Sequence, residues 1–220
     1  MKATLRWKLA QYFEKRWWKS YLRNKTSVGY RTWKIDYWKK LLVIGEISLA
    51  DGNKILDAGC GPAGVFIVLQ NYQLTAIDPL LNDYETQLIH FKKSDFKNIE
   101  FIHTPIESFK RENFFDFVFC MNAINHVQNY ELSMNNLVDS IKQGGTFVLT
   151  IDAHNYSLFK YLFRIVPGDI LHPYQYDLNE YKSHLINRGV EIVKEVLLKE
   201  NFYFNHYMIV AKRNKKEPST

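Results

Sequence analysis

The sequence predicts an α/β protein: a doubly wound sheet of about seven strands, mostly parallel, closed by an antiparallel C-terminal strand and preceded by two helices. Three observations carry that reading. An aliphatic run ends in an acid and meets a glycine-rich turn in Ile55–Gly64, ILDAGCGPAG. A second run, LTAID, ends in Asp78, 21 positions after Asp57, the span of one strand–helix–strand step. Further apolar runs occur at 99–103, 114–120 and 146–151, separated by turn and helix patterns.

The first forty residues differ in kind from the rest of the chain. They carry a net charge of +10 against −4 for the remainder, and all five tryptophans. Leu5, Leu9, Phe13, Trp17 and Tyr21 recur every fourth residue, which predicts an amphipathic helix over about 4–23 with that stripe as its apolar face. Trp7, Gln11, Glu14 and Trp18 form a second face. A second helix is predicted from about Ser27 to Ile44, with Tyr30, Trp33, Tyr37 and Leu41 together. Three roles are open to this pair: a lid over the sheet edge, a membrane-surface contact, or a nucleic-acid surface, the last ranked lowest.

In the remainder, Lys54–Asp57 begins the first strand. Pro62 sits where a helix could start, so VFIVL is read as helical. Ile99–His103 is the third strand and Phe114–Cys120 the fourth, with Asp116 at its start read as structural. Residues 131–142 predict a helix stopped by Gln143–Gly145, with the strand Thr146–Ile151 after it. The aromatic stretch 156–176 is expected to wall a substrate pocket. A helix over Asp177–Arg188 is stopped by Gly189, and 190–198 with 201–211 predict an antiparallel pair. Three parts result: a helical lid at 1–46, the main domain at 47–212 and a frayed tail at 213–220.

With 46% hydrophobic and 24% charged residues among 220, the chain has globular composition and the length of one domain. It lacks a spanning run of about 18 apolar residues and the pattern of a secretory signal. Two cysteines, Cys60 and Cys120, make no disulfide framework, so a cytoplasmic location is expected, with the membrane periphery as the alternative.

The turn at 57–64 has the chemistry of a nucleoside site. Gly59 and Gly61 allow a tight turn and close ligand approach. Gly59, Gly61 and Gly64 also satisfy G-x-G-x-x-G, yet Asp57 would repel a diphosphate and favour a ligand bearing an ammonium and a sulfonium. On Asp57, Gly59 and Gly61 the chain resembles the class I S-adenosylmethionine-dependent methyltransferases, with Ala63 where their third glycine usually falls. The fourth strand and SIKQGGTFVL extend that resemblance, and the loop NAINHV resembles small-molecule enzymes of the quinone-biosynthesis type. That loop lacks the Asn/Asp-Pro-Pro-aromatic tetrad of many base and glutamine amino-methyltransferases.

The resemblance implies a Rossmann-like fold, S-adenosyl-L-methionine as cofactor and methyl transfer to a small aromatic or lipophilic acceptor. It implies cofactor contacts from Asp57, Gly59, Cys60, Gly61, Asp78 (on the ribose), Pro79 (beside the adenosine), Cys120 and Met121. The adenine contact falls to the Ile106 amide or Glu107, since Thr104 stands where an acid is usual. For an acceptor that must lose a proton, His126, His154 and His172 are the candidate bases. Asp152, His154 and His172 have metal-ligand chemistry, but two of them flank a single residue and the third is distant, so no metal is expected. A peripheral-membrane enzyme and a non-catalytic binding module are the alternatives.

Overall fold

The computed structural model describes residues 4–155, 174 and 176–215. Seven strands, β1 (Lys54–Ala58), β2 (Gln73–Ile77), β3 (Ile99–Ile102), β4 (Phe115–Met121), β5 (Ile141–His154), β6 (Val190–Lys199) and β7 (Phe204–Arg213), form one sheet in lateral order β3-β2-β1-β4-β5-β7-β6. Strands β1 to β5 are parallel, and β7 runs antiparallel to both β5 and β6. The chain winds outward from β1 to β3, then returns to place β4 on β1's other side. That reversal opens a crevice at the carboxyl ends of β1 and β4, where open sheets of this kind bind ligands.

Both sheet faces are covered, which is why the central strands read as continuous apolar runs. Along β1, Ile55 packs into one core with Phe66, Leu74 and Leu41, while Leu56 and Ala58 pack into the opposite core with Val118, Met134 and Ile209. Helices α1 (Leu5–Leu22) and α2 (Ser27–Ile44) precede the sheet, and α3 (Leu81–Gln87), α4 (Tyr130–Ser140) and α5 (Leu178–Ile186) flank it. The start of α2 is capped by Thr26, whose hydroxyl accepts the Gly29 N–H, and α5 opens with a reciprocal Asp177–Glu180 capping box. As expected, Asp116 is structural: it accepts the Lys54 N–H at 2.8 Å and pairs with Lys142 at 2.8 Å.

Four expectations change. Residues 65–69 are not an α-helix but a short 3₁₀ turn, Val65–Val68, capped at Leu69 and preceded by another at Gly61–Ala63. Val65, Phe66, Ile67 and Leu69 are all buried, so the segment has no polar face for a surface helix. Secondly, α4 stops at Ser140 and the Gly-Gly pair lies inside β5, at a bulge where the register jumps between Phe115 and Phe117. A Cβ on Gly145 would meet the Asp116 carbonyl at 3.0 Å and Ile141 Cγ2 at 2.8 Å, so the bulge needs glycine there.

Thirdly, β5 continues through Asp152 to His154, and β7 reaches Arg213, which pairs with Val190 instead of fraying. Fourthly, the first part of the apolar stripe on α1 faces outward, with Leu5 75% exposed, Leu9 42% and Phe13 44%, while Trp17 borders the crevice and Tyr21 packs against the core. The other face, Trp7, Gln11, Glu14 and Trp18, turns inward over the crevice. On α2, Tyr30, Trp38 and Leu41 are buried while Trp33 stays half exposed. Most of the predicted pocket segment 156–176, His172 included, lies outside the described residues.

Candidate active site

A cavity of about 600 Å³ opens at the carboxyl ends of β1, β4 and β5 and the amino end of β7, beneath α1 and α2. Its floor at one end is the Gly59–Gly61 turn. The amides of Gly59 and Cys60 donate to the Ile77 carbonyl at 2.8 and 3.1 Å, which bends the chain off β1 against β2. Gly59 and Gly61 both have positive φ, +68° and +58°. A Cβ on Gly59 would lie 2.3 Å from that of Ala123, so only glycine lets the loop after β4 close down here.

Asp78 succeeds β2 at the same end. Its Oδ2 accepts the Gly61 N–H at 3.0 Å and its Oδ1 the Leu80 N–H at 2.7 Å. The carboxylate therefore orders the turn and still carries lone pairs toward the cavity it lines. Glu14, on α1, reaches the same region and accepts the Tyr84 hydroxyl at 3.3 Å. Burial raises the pKa of both Asp78 and Glu14, and Glu14's charge adds to the effect on Asp78.

Of the residues expected to hold the cofactor, Gly59, Cys60, Gly61, Asp78, Pro79, Ile106 and Met121 all line this cavity. Asp57 and Cys120 are not among its lining residues. Asp57 is 1% exposed and its Oδ2 accepts the Phe66 N–H at 3.0 Å, so it braces the turn from behind. A Cβ on Gly64 would come within 2.4 Å of that oxygen, which leaves glycine as the residue that fits. Burial pushes the Asp57 carboxyl up to about 7, with the charge of Asp78 adding to it. Cys120 is fully buried in the opposite core and its thiol is pushed up to about 12 by burial. Glu107 lines the cavity, but its carboxylate already accepts the Gln128 and Asn129 amides at 2.5 and 3.0 Å.

The histidines separate. His126, in the 3₁₀ turn Ile124–His126 after β4, lines the cavity. His154 is buried against Phe204, with ring centroids 5.2 Å apart, and does not line it. Among the described residues no group of three His, Cys, Asp or Glu side chains could hold a metal. Sequence reasoning missed His206 altogether. It lies on β7 directly opposite Asp152 on β5, its Nδ1 is 2.8 Å from Asp152 Oδ1, and both line the cavity. It also missed Lys34, on α2, whose ammonium sits 4.6 Å from the Trp38 ring centroid and whose pKa burial lowers to about 8.

These parts suit a cationic amino-acid nucleoside. The glycine turn offers close backbone approach, Asp78 offers an acceptor, and the buried acids Asp57 and Asp78, with the half-buried Glu14, leave little place for a diphosphate. Fold and site together define a class I methyltransferase architecture. Comparison with known proteins agrees: the family described as "Methyltransferase domain" matches residues 56–149. Residues 56–149 thus match a methyltransferase domain, on a fold of the class I kind.

The chain is similar to a ubiquinone biosynthesis O-methyltransferase of Rickettsia typhi, 35% identical over 120 residues, covering 54% of this chain and 48% of that protein. It thus spans about half the length of the curated relatives it matches. The structure of the Burkholderia thailandensis 1,6-didemethyltoxoflavin-N1-methyltransferase, with 1,6-didemethyltoxoflavin and S-adenosylhomocysteine bound, shares the fold at TM-score 0.60 and 12% identity, over 98% of this chain and 93% of that one. A SAM-dependent methyltransferase of Methanosarcina mazei does so at TM-score 0.60 and 19% identity, over 79% and 98%.

Proposed function

We propose that this chain transfers the methyl group of S-adenosylmethionine to a small aromatic acceptor held under its N-terminal helices. The observation that carries the reading is the cavity itself. One end is the glycine turn with Asp78, and aromatic side chains Trp7, Trp18 and Tyr37 wall the space above. The bound cofactor supplies an activated methyl on a sulfonium. The chain's part is alignment: Gly59–Gly61 and Asp78 would seat the cofactor, Pro79 and Ile106 would flank its adenosine, and Met121 would border the transfer site. An acceptor oxygen, as in the name of the Rickettsia relative, needs a proton acceptor as well if it starts as a hydroxyl, and two histidines, His126 and His206, line the cavity.

The purified chain with S-adenosylmethionine and a panel of catechols is expected to release S-adenosylhomocysteine and a methylated product, read by mass spectrometry. Binding of the cofactor without turnover on any catechol or with cell extract would favour a binding module over an enzyme.

The outward stripe on α1 favours a second feature of the same enzyme, contact with an anionic membrane. Leu5, Leu9 and Phe13 project from a segment of net charge +10, the pairing of apolar and basic groups that suits a lipid headgroup layer. No helix among the described residues is long and apolar enough to cross a membrane. The wild-type chain is expected to float with phosphatidylglycerol vesicles at low salt, and a Leu5→Glu/Leu9→Glu/Phe13→Glu variant to stay behind with its cofactor affinity intact. Equal flotation of the two would remove the membrane contact.

A further inference from the structure

We infer that His206, oriented by Asp152, is the general base of the acceptor subsite, and that the acceptor is therefore a ring hydroxyl. The inference rests on the methyltransferase reading and names its substrate class. The lateral order β1-β4-β5-β7 separates two ends of one cavity: the glycine turn succeeds β1, and His206 sits on β7, three strand spacings or about 14 Å away. Between them lie Met121 and Thr150, in register on β4 and β5. The reacting atoms belong in that interval, with the cofactor entering from one side and the acceptor from the other.

His206 has the construction of a base. Its Nδ1 meets Asp152 Oδ1 at 2.8 Å, which fixes the ring and selects the tautomer with the proton on Nδ1. Nε2 then carries the lone pair. Across the sheet His206 stands between two residues in register, Asp152 on β5 and Lys199 on β6, and all three line the cavity. Among the described residues, Tyr37 from α2 also faces this end, close enough to feel the Asp152 charge. Tyr37 is held neutral: burial, and then the Asp152 charge, raise its pKa. Asp152 stabilises an imidazolium, and Lys199 supplies a cation for an oxyanion beside it.

The step balances without further reagents. The acceptor O–H gives its proton to His206 Nε2, and the oxygen's electron pair forms the new C–O bond to the methyl carbon. The C–S bond breaks with its pair left on sulfur, giving a neutral thioether and a methyl ether. The imidazolium then returns its proton to water. His126 lies in the turn after β4, off the strand register that joins His206 to Asp152.

The test reads ionisation, not turnover. 4-Nitrocatechol changes colour on losing its proton, so its titration can be followed when bound to the chain with S-adenosylhomocysteine. With the wild type, the bound probe is expected to ionise about one pH unit or more below the free probe. With His206→Gln the shift should vanish, and with Asp152→Asn, a positioning change, it should shrink while S-adenosylhomocysteine affinity stays the same. His126→Gln should leave most of it. A shift that survives His206→Gln, or disappears only with His126→Gln, overturns the assignment. Failure of the wild type to bind S-adenosylhomocysteine at all overturns the methyltransferase reading, and the base with it.

Discussion

Asp78→Ala is expected to weaken S-adenosylmethionine binding by about hundredfold or more, because charge-assisted hydrogen bonds contribute roughly 1.5–3 kcal/mol each. Two losses combine. The variant removes the acceptor proposed for the ribose hydroxyls, and it frees the Gly61 and Leu80 amides that shape the turn. Its effect on stability should depend on pH in a definite direction. The folded-state pKa of Asp78 is raised above the usual carboxyl range by burial and by Glu14. A raised pKa means the folded chain holds a proton that the unfolded chain has lost. The group's stabilising contribution is therefore complete below the ordinary carboxyl pKa and fades as pH rises through the folded value. Asp78→Ala should thus lower the melting temperature more near pH 5 than near pH 8. Calorimetric titration beside thermal melts separates the two effects, and unchanged affinity in a folded variant would remove Asp78 from the site.

Much of the fold and site is readable from the chain because it depends on neighbours in sequence. The strand runs, the turn at 57–64, the acid after β2 and the structural Asp116 all come from local patterns. The features that escape depend on partners far along the chain. His206 and Asp152 are 54 positions apart and meet only through the register of β5 and β7. The orientation of α1 is misread from periodicity because the helix is apolar on both faces. Periodicity locates the stripe Leu5–Leu9–Phe13, but the face that turns inward carries Trp7 and Trp18 with the half-buried acid Glu14, a polar group in a place where a core stripe would have none. The crossover after β1 fails as a helix for a similar reason. Gly64 must pass within contact of Asp57, and that closeness is invisible in a list of residue types.

The central physical claim is that buried acids around one glycine turn select a cation and reject a diphosphate. In the unliganded chain, burial holds Asp57 near 7 and raises Asp78 and Glu14, so fold stability should decline as pH climbs from about 4 toward about 7. A cationic ligand favours their ionised forms and must displace those protons. Lys34, at about 8, keeps most of its charge through that range. Isothermal titration of the wild-type chain with S-adenosylmethionine and with NADH, at about pH 5.5 and about pH 7.5, measures this directly. The expected result is binding of S-adenosylmethionine that tightens about tenfold with pH and releases protons, and a preference over NADH of about hundredfold or more. NADH binding of comparable strength, or S-adenosylmethionine affinity flat across that range with no proton release, would contradict it.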